Sequence, residues 1–440
     1  MLIQRAPDVY EKLRHLGGMA TDDVLSPAER SDDAARPGDG WERVGPRGGV
    51  TPYAGVYKAA MPNGKRISLM RVMFTDHCIM DCHYCPNSYW VPRRRYGFKV
   101  DELARLFDEM HSRHMVEGLF LSSGIFKDPN ATQERLLDTV EAIRSRYGFR
   151  GYIHLKVMPG TSTDALLEQS QRLGARLSVN MESPSAEHLR KVSTMKDFDN
   201  GIVAPMKRIS ELMQERYGGA VGQATQLVVG AADESDWDIY TRMRSLYGEY
   251  GFKRVYYSAF RPVPYTPLEE HPATPPAREH RLYQMDWLSR IYGYDTEELR
   301  PAFDTGGFLE LRADPKLMIA VNNFEQFPVD VNRATERELL RVPGVGPLAA
   351  NRIVKQRAQH TITQRQELQA MGVVMKRAMP FLRFPGHKPV PAKQGELTLF
   401  PEQSKARTQP ARRTVELHAT HAASGCASCP LNPGTCGMAA

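Results

Sequence analysis

An α/β fold, arranged as a partial (β/α)6 TIM-like barrel and followed by a small all-α unit and a disordered tail, is what the sequence predicts. Three observations predict it. Six short apolar runs of strand character alternate with amphipathic helical stretches between residues 66 and 265. Residues 329–384 carry only short helical segments joined by glycine-containing corners. After Pro385 the composition becomes Pro, Gln, Lys, Arg and Thr with few large apolar groups, so 385–440 reads as a basic disordered tail.

Taken in order, residues 1–65 open with a helix over Pro7–Leu16 and continue as a Gly, Pro, Asp and Arg mixture without sustained period. Arg5, Asp8, Glu11, Lys12 and Arg14 occupy the place where a signal peptide keeps its apolar core, and no apolar run reaches about eighteen residues. The expected location is cytoplasmic, with no membrane partner. The predicted strands are Ser68–Thr75, Gly118–Ser123, Tyr152–Met158, Arg176–Glu182, Thr225–Gly230 and Arg254–Pro262. Among the predicted helices, Val100–His114 places Leu103, Leu106, Phe107 and Met110 on one stripe, and Ala131–Tyr147 does the same with Leu136, Leu137, Val140 and Ile143. Residues 266–328 form a helical extension, in which the proline-rich run 264–280 reads as a loop before an amphipathic helix over Arg281–Tyr292.

The chemistry-bearing stretch follows the first predicted strand. Cys78, Cys82 and Cys85 stand at C-x3-C-x2-C, which in barrels of this kind is the reactive, C-terminal end of a strand. Three thiolates on one short loop suit three irons of a [4Fe-4S] cube and leave the fourth iron open to a substrate or cofactor. The competing reading is a zinc knuckle completed by His77 or His83. The other three cysteines, Cys426, Cys429 and Cys436, stand near His418 and His421 in the tail. That spacing leaves a second iron-sulfur cluster, a zinc site or an unliganded end open. Two tight groups are metal-ligand spacing; a disulfide framework is spread more evenly.

A net charge of +7 favours a polyanionic partner. In 329–384 two short predicted helices, Glu336–Leu340 and Leu348–Arg357, flank Gly344, Val345 and Gly346, so main-chain N–H groups gather at the start of the second helix. This is a phosphate grip. Main-chain donors do not read bases, so the expected DNA binding is sequence-independent and salt-sensitive. Arg93-Arg94-Arg95 reads as a solvated run.

With Tyr84 before the last cysteine, this arrangement resembles a radical S-adenosylmethionine (SAM) enzyme over residues 65–265. Further stretches, among them Glu117–Gly124, Gly151–Lys156, Ser178–Glu182, Thr225–Ala231 and Lys253–Ala259, are similar to the DNA modification or repair radical SAM family, which ends in a helix-hairpin-helix unit. The resemblance implies a [4Fe-4S] cluster on the three cysteines, SAM on its open iron, and reductive cleavage to a 5′-deoxyadenosyl radical. It implies that Ser122, Ser123 and Gly124 seat the methionyl amino group, that Asn180 and Glu182 approach the ribose or carboxylate, and that Gly230 lets backbone approach adenine. Arg261 would meet a carboxylate or phosphate. As bare residues, Ser122–Gly124 also suit a plain strand-to-helix turn, Asn180 and Glu182 a satisfied polar pair inside the barrel, and Arg261 a salt bridge on its rim. The implied partners are DNA, a uracil-DNA-glycosylase-like protein and an electron donor. The alternatives are a radical SAM enzyme acting on RNA and a non-catalytic iron-sulfur redox sensor that binds nucleic acid.

Overall fold

The computed structural model describes residues 6–20, 55–60, 66–217 and 222–387. The tail cysteines 426, 429 and 436, with His418 and His421, lie outside the described residues. The described part falls within one compact unit, Met1–Ala392.

Helix α1, Val9–Met19, begins at Asp8, whose carboxylate accepts from the Tyr10 and Glu11 amides while Glu11 returns a bond to the Asp8 amide. Its buried face, Leu13 and Leu16, joins the barrel core. Seven strands then form one sheet in sequential order: β1 Val56–Ala60, β2 Arg66–Met73, β3 Gly118–Ser122, β4 Tyr152–Lys156, β5 Arg176–Ser178, β6 Gln223–Val229 and β7 Arg254–Ala259. β2 to β7 are parallel, with Met73 opposite Ser122, Leu121 opposite Leu155, and Lys156 opposite Ser178. Parallel strands covered on both faces read as near-continuous apolar runs, as in Leu119-Phe120-Leu121. The crossovers are α2 Val100–Ser112, α3 Pro129–Ser145, α4 Asp164–Leu173, α5 Ala186–Val192, α6 Ala204–Tyr217 and α7 Asp236–Gly248. The α2 stripe of Leu103, Leu106, Phe107 and Met110 is fully buried, as its spacing requires. The fold is therefore α/β, an open half-barrel of the TIM-like kind followed by a helix-hairpin-helix region.

Three details depart from the sequence expectation. The lead-in contains β1, an antiparallel strand that covers the free edge of β2. Strand β5 stops at Ser178, and Asn180 and Glu182 lie on the bend beyond it, where Glu182 adopts φ 68 and keeps a single bridge to Leu227. Helix α8, Pro276–Arg290, starts inside the proline-rich run, because a proline in the first turn gives up an N–H that has no helical partner.

After α8 come α9 Thr296–Leu299, α10 Pro315–Asn322, α11 Glu336–Arg341, α12 Pro347–Arg357, α13 Arg365–Ala370 and α14 Met375–Ala378. The helical segment is closed by a two-residue parallel pair, β8 Val329–Asp330 with β9 Leu382–Arg383.

Candidate functional site

The cysteine loop leaves β2 and is laced at once to the exit of β3. The Phe74 amide donates to the Ser122 carbonyl at 2.7 Å, Gly124 to Thr75 at 2.7 Å, and Ile79 to Ile125 at 2.8 Å. Gly124 is the point of closest approach. A Cβ there would stand 2.4 Å from the His77 carbonyl oxygen and 3.1 Å from the Cys78 Cβ, so only glycine fits. Ser122 is fully buried beside it, and the Ser123 hydroxyl donates to the Gly124 carbonyl at 2.7 Å. The predicted serine-glycine turn is thus placed against the first cysteine.

Charged side chains give the loop its shape. Arg95 donates to four carbonyls, those of Asp76, Asn87, Ser88 and Val91, at 2.7–3.1 Å. Buried Asp76 accepts from the Tyr96 amide at 2.6 Å, pairs with Arg93 at 3.1 Å and meets His15 of α1 at 2.8 Å. Asp81 accepts from the Thr194 amide and hydroxyl, both at 2.7 Å, and from the Ser193 hydroxyl, which ties the loop to the segment after α5. Burial raises both carboxyls, but these hydrogen bonds outweigh it and hold both below the usual carboxylate range. The arginine run is therefore not simply solvated: Arg93 and Arg95 build the loop, while Arg94 stays exposed.

Cys78, Cys82 and Cys85 are free thiols in one electrostatic neighbourhood. Burial pushes the Cys82 and Cys85 thiols up, and the nearby cysteines add to it. The Asn87 amide donates to the Cys85 sulfur at 3.3 Å. A cation is at hand: the Lys196 ammonium lies 2.9 Å from the Tyr84 hydroxyl and 3.2 Å from Glu182 Oε1. Burial works against that charge, yet Cys82 and Glu182 hold the Lys196 pKa above its ordinary value. The His83 ring lies against the Lys191 carbonyl at 3.2 Å.

Asn180 bears most directly on a bound cofactor. It is buried, its Nδ2 donates to Gln226 Oε1 at 3.4 Å, and its Oδ1 is buried with no hydrogen-bond partner in the structure. Leaving such an oxygen unpaired costs about 1–3 kcal/mol, which a donor on a ligand would offset. Together with the desolvated thiols and the Gly124 contact, this donor-seeking atom fits a polar cofactor beside a cluster. Glu182 is instead held by Lys196. Gly230 has φ 84, and a Cβ there would meet the Thr274 hydroxyl at 2.1 Å. Its amide is taken by Glu234 and its carbonyl by His271. Arg261 is exposed after β7. Sequence reasoning missed Lys196, Asp76 and Asp81; the only signal was an acid two positions before Cys78 and another immediately before Cys82.

The second feature is the hairpin between α11 and α12. Gly344 has φ 87, and a Cβ there would lie 2.7 Å from the Val374 carbonyl. The Val374 amide N–H donates to the Gly344 carbonyl at 2.9 Å. Gly346 is the N-cap of α12, no side chain caps that end, and Leu348 beside it is 75% exposed.

Residues 72–225 match the family model of the radical SAM superfamily, and residues 325–378 match that of the helix-hairpin-helix motif. No curated protein matches the chain. Three of the similar solved structures are HydG, a maturase of the [FeFe]-hydrogenase, methylornithine synthase (PylB), and the radical S-adenosylmethionine methyltransferase TsrM from Kitasatospora setae. HydG is 13% identical with TM-score 0.42, covering 50% of this chain and 49% of its own. The synthase is 18% identical with TM-score 0.40, covering 50% and 61%, and TsrM is 14% identical with TM-score 0.37, covering 46% and 39%. The chain thus spans under two thirds of the length of each.

Proposed function

From the premise that this chain carries a radical SAM domain and a helix-hairpin-helix motif, we propose that it is an enzyme that uses radical chemistry to modify or repair nucleotides of DNA. The observation that carries this reading is the presence, within one compact unit, of a three-cysteine loop at the end of β2 and an uncapped hairpin between α11 and α12.

Cys78, Cys82 and Cys85 would hold a [4Fe-4S] cluster, and Ser122, Ser123, Gly124 and Asn180 would seat SAM. When bound, the pair supplies reductive cleavage of a sulfonium and a carbon radical that abstracts hydrogen. The chain's own residues do the rest. Gly124 keeps the β3 turn in contact with the loop, so seat and cluster ligands stay in register. Asn180 Oδ1 accepts from the ligand, and Lys196, kept charged, offsets the charge of the thiolates and of Glu182. Arg261, exposed after β7, offers a cation to a substrate phosphate. The hairpin grips the backbone without reading sequence, and the target base must leave its stack before a C–H bond comes within reach. An external electron donor is required.

The test is anaerobic reconstitution followed by addition of reductant and SAM, with 5′-deoxyadenosine and digested nucleosides measured by mass spectrometry. Formation of 5′-deoxyadenosine that rises on adding DNA, with a new nucleoside mass, is the expected result. Stimulation by RNA alone would move the substrate to RNA. No cleavage under any condition would leave a nucleic-acid-binding redox protein.

A further inference from the structure

A cavity of about 540 Å³ opens between α8, the start of α10 and the hairpin. Trp287 and Tyr292 line it, the backbone of Gly344, Val345 and Gly346 forms another part of its wall, and Lys316 and Arg377 reach it as cations. Arg377 is paired with Asp314 on the same wall. Lys316 is different. It is only 7% exposed, its ammonium donates to the Val345 carbonyl at 2.6 Å and lies 4.6 Å from the Tyr292 ring centroid, and it makes no ion pair among the described residues. Burial pushes its pKa down to about 7. A buried ammonium is costly; Asp314 on the same wall, itself paired with Arg377, offsets that cost only in part, and an anion entering the cavity relieves the remainder.

The rest of the lining says which anion. Trp287 is 50% exposed, an indole left open on a cavity lined more by apolar than by polar atoms. An open aromatic ring stacks a base with little regard to sequence. The volume lies within the range of roughly 300–1,000 Å³ that small-ligand pockets occupy. A single nucleotide is of that size and a duplex is not. The cavity adjoins the hairpin, since Gly344, Val345 and Gly346 form part of its wall, so a strand gripped there has the cavity within reach.

We propose that the cavity takes one unpaired nucleotide of the nucleic-acid strand held by the hairpin, with its base against Trp287 and its phosphate beside Lys316. The inference rests on the nucleic-acid reading given above and adds to it a preference for strands with an unpaired position. Neither Trp287 nor Lys316 belongs to the hairpin-motif segment, residues 325–378.

The experiment is fluorescence anisotropy of the full chain on labelled duplexes identical except for one bulged nucleotide. The native chain is expected to bind the bulged duplex roughly tenfold more tightly, the size of one stacking contact. Trp287→Ala should bring the ratio of the two affinities to about one. Since Trp287 is half exposed, its loss leaves the fold intact, which circular dichroism checks. Leu348→Glu places an acid at the hairpin and should weaken both complexes. A native chain with no bulge preference, or a Trp287→Ala chain that keeps it, overturns the cavity proposal. Unchanged binding of both duplexes by Leu348→Glu overturns instead the reading that the hairpin grips nucleic acid.

Discussion

Gly124 shows how much of the site hangs on single atoms. Because a methyl group there would press on the His77 carbonyl at 2.4 Å, Gly124→Ala must push the cysteine loop off the β3 turn. The expected outcome is a chain that retains its barrel by circular dichroism but holds less than half the native iron and sulfide after reconstitution. The control is Gly248→Ala at the end of α7, where nothing lies within 4 Å; there the loss of backbone freedom in the unfolded chain should raise stability by about 0.4–1 kcal/mol. Equal iron content in Gly124→Ala and native protein would mean that the turn does not support the cluster ligands. The cysteines and this glycine are legible in the sequence because their meaning is local, a spacing and a turn. Lys196 and Asp81 are not legible. Their partners lie far along the chain, Asp81 with Ser193 and Lys196 with Tyr84, and no periodicity links a charge to a partner that only the fold brings near.

At the scale of elements, the six parallel strands could be read because each is an apolar run bounded by polar turns, and α2 because its stripe has helical spacing. β1 could not. Its five residues, Val-Tyr-Lys-Ala-Ala, lack the alternation of a half-buried strand and follow a glycine- and proline-rich stretch; they are strand because β2 offers an open edge. Contacts between elements also carry a pH signature. Lys316 of α10 reaches the hairpin carbonyl of Val345 with a pKa near 7, against an ordinary 10.5. Between those values the unfolded chain binds the extra proton, so this residue's contribution to stability rises as pH climbs from 7 towards 10 and its penalty is complete below 7. The span corresponds to on the order of 3–5 kcal/mol. Urea midpoints at pH 7 and pH 9.5 should therefore rise more for the native chain than for Lys316→Met. Parallel behaviour of the two would show that the ammonium is solvated. The same logic reaches α1, whose His15 clasps Asp76; His15→Ala should loosen the loop and speed loss of iron to a chelator several-fold, as followed by absorbance.

For the whole molecule, the barrel and the hairpin region are chemically separate parts of one chain. Cys82→Ala should abolish cluster assembly and SAM cleavage while leaving the affinity and salt dependence of DNA binding within about twofold, because the cysteines follow β2 and the hairpin lies between α11 and α12, far along the chain. Loss of DNA binding in that variant would show that the cluster holds the fold together. The two-part order was readable from composition and motif. The cavity beside Trp287 was not, since its walls come from α8, α10 and the hairpin and meet only in three dimensions.

Arg95 makes the loop that bears the three cysteines depend on a residue outside the cysteine set. One guanidinium joins four carbonyls, that of Asp76 before the first cysteine and those of Asn87, Ser88 and Val91 after the last, while two buried aspartates and the backbone of β3 hold the rest. A change at this one arginine would orphan four acceptors at once, so damage to the cysteine loop need not begin at a cysteine.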